Sequence, residues 1–293
     1  MRIEMWADIA NPWTYVAAER LRTALATADA GIDATAAEVV WRPLLTDPAD
    51  PEAPRDALRL LLLAEEHGGV ELQGRVAAEL LASHDVRDRA ELAAVAARAG
   101  FEDGADLLSS ETAGHTRLRE LLLIGKARGI TISPTLAVGD RLLEFAMSPA
   151  TIGEFLTAAD EAGEAGAVRR LPEEVERLRW AEELIALSDP LGALVLLEPL
   201  LAEHAQDPNA HPSPTAARYG RATRGNLMGV AASAYFASAQ LGRARQALEA
   251  TLVDDPADSY ARLMLGRTLE RQGLADEAGT HLRMAVAMTP EYA

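Results

Sequence analysis

The sequence predicts an α/β domain with an all-helical insertion, followed by an all-α domain of repeated helix pairs. Three observations carry this. Short segments of strand character open the chain and recur near residue 140, a long stretch of helical pattern separates them, and residue types near the C-terminal end recur 34 positions apart. With 293 residues the chain is long enough for two cores. Its 49% hydrophobic and 25% charged residues describe a globular protein, not a disordered one.

Taken in order, Arg2-Ile3-Glu4-Met5-Trp6 alternates polar and apolar and reads as a strand. Asn11 is a good N-cap and Pro12 suits the first helical position, so a helix opens there and runs amphipathically to about Ala28. Ala36 to Trp41 reads as a second strand stopping at Arg42-Pro43, and Asp47 to Pro54 as a proline-rich loop. From Arg55 to Ala127 the pattern is helical, with breaks near Gly68-Gly69, Ser83-His84, Gly100 and Gly104. Thr135 to Val138 and Arg141 to Phe145, joined by Gly139-Asp140, read as a hairpin, and Pro149 to Ala162 as a helix. The expected boundaries are a first domain at 1–163 with its insertion at about 52–128, a linker at 164–173 containing Arg169-Arg170, and a second domain at 174–293.

In the second domain Pro256 and Pro290, Ala244 and Ala278, Leu248 and Leu282, and Tyr235 and Leu269 are each separated by 34 residues, as are Ala232 and Gly266. This period, with small, large and proline positions in this order, is the tetratricopeptide (TPR) signature. An earlier copy begins at about Glu174, with Ala193 and Leu197 in register, before His211-Pro212-Ser213-Pro214 interrupts the array. The register points Asn226, Gly229, Ser233 and Phe236, then Tyr260, Leu263, Arg267 and Glu270, with Arg271 beside them, into a concave face. Asn226, Phe236, Tyr260, Arg267 and Arg271 are the expected contacts to a carboxylate-rich peptide or protein partner. The competing expectations are that these arginines are solvated, or that the acid-free stretch 208–248 docks on the acidic first domain. A short array also leaves an uncovered end, which makes a homo-oligomer a further expectation.

The formal charge is −17, and residues 1–163 hold 15 basic against 27 acidic residues. Such a chain repels phosphate, so no nucleic-acid partner is expected. The absence of cysteine excludes disulfides, thiolate nucleophiles, CxxC redox centres and zinc-thiolate sites. No apolar run approaches a membrane span, and Glu4 and Asp8 interrupt any signal-peptide pattern, so the expected location is cytoplasmic, with no membrane partner. HExxH, EF-hand and P-loop patterns are absent, Gly125-Lys126-Ala127 lacking the flanks of the last, and no metal site is expected.

The first domain resembles the DsbA family of thioredoxin-fold proteins, and in particular its FrnE-type branch. The resemblance rests on Asp8-Ile9-Ala10-Asn11-Pro12-Trp13-Thr14-Tyr15 where that branch has Cys-Pro-Trp-Cys-Tyr, on Trp41-Arg42-Pro43, on Arg55-Asp56-Ala57 with Arg59-Leu60, and on Gly129-Ile130-Thr131-Ile132-Ser133-Pro134-Thr135. It implies a cis peptide at Pro134 facing the site, and inserted helices that lid it. Both redox cysteines are replaced, by Asn11 and Thr14. Thiol–disulfide exchange needs two sulfurs, so the family's activity does not carry over.

Two functions remain open from the residues. One is a redox-inactive partner- or peptide-binding protein using the old substrate groove and the TPR surface. The other is a non-redox enzyme, an isomerase, transferase or lyase, that holds a small anion or a low-molecular-weight thiol such as glutathione or mycothiol at the helix N-terminus. Asn11, Thr14 and Tyr15 are the catalytic candidates; Asn11, Pro12, Trp13, Thr14, Ser133 and Pro134 are the ligand-binding ones. His67, His84 and His115 in the insertion, and His211, are expected at the surface.

Overall fold

A computed structural model describes residues 1–27, 37–164, 171–206 and 224–293, in two compact units, Met1–Arg170 and Leu171–Ala293. The expected end of the first helix at Ala28, the start of the second strand at Ala36, Arg169-Arg170, His211 and the basic residues Arg218 and Arg221 lie outside the described residues.

In the first unit the chain forms β1 (Arg2–Ala7), α1 (Pro12–Ala26), β2 (Glu38–Pro43), α2 (Arg55–Ala82), α3 (Arg89–Arg98), α4 (Gly104–Ser109), α5 (His115–Ala127), β3 (Thr135–Val138), β4 (Arg141–Glu144) and α6 (Pro149–Glu164). The four-stranded sheet has the order β2-β1-β3-β4, with β1 parallel to β2 and antiparallel to β3. Strand, helix and parallel strand, then a hairpin and a helix, is the thioredoxin-like arrangement, with α2 to α5 inserted before the hairpin. β1 is central, so Met5, Trp6 and Ala7 are buried in succession where one-sided alternation was expected.

β2 runs past its expected stop at Trp41: Arg42 and Pro43 pair with Trp6 and Ala7. Arg42 stays in the strand because Glu65 of α2 (2.7 Å) and Glu4 (3.4 Å) neutralise it, and a proline is tolerated at an edge. The outer side of that edge is covered by α2. The fully buried Gln73 accepts the Trp41 N–H at 2.9 Å and donates to the Trp41 carbonyl at 3.0 Å, in the place of a further strand.

The insertion is anchored by buried charge. Arg59 of α2 donates to the carbonyls of Ala113 and Ser110 and pairs with Asp56 at 2.7 Å. α2 is interrupted at Gly68 and Gly69, the latter at φ +66, a conformation open to glycine. Gly125 of α5 lies flat against the buried Trp6 ring, where an added Cβ would fall 2.8 Å from the ring. Close packing therefore explains this glycine.

The second unit contains α7 (Glu173–Ala186), α8 (Pro190–Gln206), α9 (Arg224–Ala237), α10 (Leu241–Asp254), α11 (Ser259–Arg271), α12 (Ala275–Met288) and a short 3-10 turn, Pro290–Tyr292. Neighbouring helices pack as α7 with α8, α9 with α10 and α11 with α12. Ala232, Ala247, Leu248, Ala261, Leu265, Leu269 and Ala278 form one buried cluster. At Gly266 a Cβ would meet Leu282 at 2.6 Å, which is the close helix approach that small residues at this register allow. No helix among the described residues is long and apolar enough to cross a membrane.

Candidate functional site

The turn between β1 and α1 is built on Asp8 and Asn11. Asp8 is buried although charged, and it is fully engaged: its carboxylate accepts the N–H groups of Ala10 and Thr46, each at 3.0 Å, and its own N–H donates to Ser133 Oγ at 2.8 Å. Its carbonyl accepts from the Asn11 N–H at 3.0 Å and from Thr14 Oγ1 at 2.7 Å. One aspartate thus ties the end of β1 to α1, to the loop after β2 and to the segment before β3. The sequence gives Asp8 no site role; an acid closing a strand two residues before a free turn amide is the available signal.

Asn11 is the N-cap of α1. Its Oδ1 accepts the Trp13 N–H at 3.0 Å, and its Nδ2 donates to the Ser133 carbonyl at 3.1 Å. The Ser133–Pro134 peptide is cis. Asn11, Thr14, Ser133 and Pro134 therefore do come together. Thr14 is fully buried, with its hydroxyl given to Asp8 and 3.5 Å from Ser133 Oγ, which makes it a structural tie and keeps it out of reach of a substrate.

The first turn of α1 has no backbone donor left to offer. Pro12 has no N–H, the Trp13 N–H is taken by Asn11 Oδ1, and the Thr14 N–H donates to the Asn11 carbonyl at 2.9 Å. The Ser133 carbonyl accepts from Asn11.

What the turn does expose is aromatic surface. Trp13 is 59% exposed and Tyr15 52%, and Phe145, which follows β4, is 55% exposed. Phe145 donates its N–H to the Pro134 carbonyl at 2.9 Å, so one run of bonded residues, Asn11–Ser133–Pro134–Phe145, links the two aromatic sides. Phe145 was expected as the last residue of the hairpin strand. It leaves the strand at φ +67, held there by its bond to Pro134, by the Met147 N–H on its carbonyl and by Arg20, which donates to the Ala146 carbonyl.

A cleft of about 210 Å³ opens beside Asn11 and Pro12, between Tyr15 on one side and Leu80, His84, Asp85 and Arg87 on the other. His84 is thus brought to the site. His67 is not: its Nδ1 is 2.8 Å from the Leu63 carbonyl and its ring lies against Phe101. In the second unit Arg271 stacks over Phe236, 4.5 Å from the ring centroid, and donates to the Phe236 carbonyl, while Arg267 pairs with Glu270 at 3.4 Å. Tyr260 is exposed and Asn226 half-buried.

No protein-family model matches the chain, and no curated protein matches it. Among solved structures, a probable DsbA oxidoreductase from Streptomyces coelicolor is similar at 21% identity and a TM-score of 0.49, over 59% of this chain and 92% of that one. The thioredoxin-like description of the first unit rests on its strand order and on the placement of Asn11 against the cis peptide at Pro134.

Proposed function

We propose that the chain is a thioredoxin-like protein without redox activity that binds an extended apolar peptide segment of a partner across Trp13, Tyr15 and Phe145. The observation that carries this is Phe145. A bulky side chain at positive φ is costly, by about 1–2 kcal/mol, and the residue is 55% exposed, so burial does little to offset the cost. Such strain is kept where the side chain has a use outside the fold, and an exposed aromatic patch beside a rigid network fits an apolar ligand. We read the helix pairs of the second unit as TPR-type repeats offering a second peptide surface; the 34-residue register and the close approach at Gly266 support this. The non-redox enzyme reading finds less support, because the backbone donors meant to hold its anion or thiol are already spent.

The test is binding of a permanently unfolded protein, reduced and carboxymethylated α-lactalbumin, by the full chain. Micromolar binding that is lost in Trp13→Ala and Phe145→Ala supports the reading. Absence of binding, or binding indifferent to both substitutions, sinks it.

A further inference from the structure

We infer that the cleft beside Asn11 is a carboxylate subsite that takes the C-terminal end of the bound peptide; this rests on the peptide reading above and adds the partner's chemistry to it. The cleft shares Pro12 and Tyr15 with the turn that carries Trp13, so a chain lying on the aromatic surface has this cleft at one end. At about 210 Å³ it accommodates one or two residues and no folded segment.

Its walls are rich in donors. Arg87 spends Nε on the Glu52 carbonyl at 2.8 Å, and no carboxylate among the described residues pairs with its terminal nitrogens, although residues 1–163 hold 27 acids. Asn11 has used one of its two amide hydrogens, on Ser133. The Tyr15 hydroxyl and the His84 ring complete the set, neither with a hydrogen-bond partner among the described residues. Two carboxylates oppose them: Asp85, which turns Oδ1 to the Arg87 N–H at 2.9 Å, and Glu91, which accepts from the lining Ser83 at 3.1 Å, interacts with His84 and is itself paired with Arg98 at 3.0 Å. An acceptor-only group complements such a wall, and an arginine fork matches a carboxylate in both charge and shape. The cation comes from the loop after α2 and not from the end of α1.

The experiment uses the full-length protein and two fluorescein-labelled pools of random apolar heptapeptides, one ending in a free carboxylate and one in an amide, measured by fluorescence polarisation. The wild type is expected to bind the acid pool roughly tenfold more tightly than the amide pool. Arg87→Gln should lower the acid pool to the level of the amide pool and leave the amide pool unchanged, a coupling that a merely structural arginine would not produce. Trp13→Ala should weaken both. Equal binding of acid and amide by the wild type, or an Arg87→Gln that weakens both alike, overturns the carboxylate subsite while leaving the peptide reading in place. Failure of both pools to bind the wild type removes the two together.

Discussion

Asn11 and Ser133 stand 122 residues apart and are joined by a 3.1 Å hydrogen bond from the Asn11 amide to the Ser133 carbonyl. The same side chain caps α1 through its oxygen. Asn11→Asp separates the two tasks. Aspartate caps a helix as well as asparagine does, but it has no N–H to give and sets a carboxylate against the Ser133 carbonyl. The expected loss is about 1–2 kcal/mol at neutral pH, read as a lower urea midpoint with an unchanged slope. An Asn11→Asp protein as stable as the wild type would show that the bond to Ser133 contributes nothing.

The same occupancy bears on ligands. With the Trp13 and Thr14 N–H groups already bonded, glutathione and mycothiol have no backbone donors to meet at this helix end. A thermal-shift titration with both thiols and their S-conjugates is therefore expected to stay flat. A saturable rise of several degrees would restore the enzyme reading.

Glu4 of β1 links two arginines. Burial by itself would raise its pKa, but Arg128 at 2.6 Å and Arg42 at 3.4 Å more than offset this and hold it below the ordinary value. A carboxyl whose folded pKa is lowered adds stability above its unfolded pKa and loses it as the pH falls through the folded one. Glu4→Gln should cost about 2 kcal/mol at neutral pH, because Arg128 then has no acid in place of Glu4 and Arg42 keeps only Glu65. The difference in urea midpoint between variant and wild type should shrink as the pH falls below the ordinary glutamate range and through the lowered folded pKa of Glu4. A difference independent of pH would contradict the ion pairs as its source.

These charges also show which parts of the fold were legible. Asn11-Pro12 marked the start of α1 and Gly139-Asp140 the hairpin, because capping and turn chemistry are local. The end of β2 was not legible, since Arg42 looks like a terminator until Glu4 and Glu65 are beside it. Gln73 carries no local mark either, yet it completes the sheet edge at Trp41. At the site, Asn11, Thr14 and Pro134 were identifiable from the pattern around them. That the Asn11 amide donates to Ser133 and that the Thr14 hydroxyl is buried beside it was not, because Ser133 lies more than a hundred residues away. His84 and Arg87 reach the cleft only because α2 is long enough to bring its far end back to α1.

Gln73→Leu tests the edge directly. It keeps the volume of the side chain and leaves the N–H and carbonyl of Trp41 without partners. The expected cost is about 2–4 kcal/mol. Hydrogen exchange at the Trp41 amide should quicken well beyond the global loss of stability, while amides at the centre of β1 follow that loss. Uniform exchange across the sheet would mean that Gln73 merely fills space.

Phe145→Gly sets stability against binding. Glycine adopts φ +67 without the clash that phenylalanine suffers, and the exposed ring contributes little burial to lose. The folded state gains by relief of strain, and the unfolded state gains entropy from the new glycine. The first effect is about 1–2 kcal/mol and the second about 0.5–1 kcal/mol, so the net runs from about zero to a stabilisation of about 1.5 kcal/mol. If Phe145 is kept for a partner, the variant should unfold at equal or higher urea concentration and bind the unfolded client at least several-fold more weakly. A clear loss of stability with client binding intact would mean that the ring belongs to the core, and the strained aromatic would no longer argue for a peptide site.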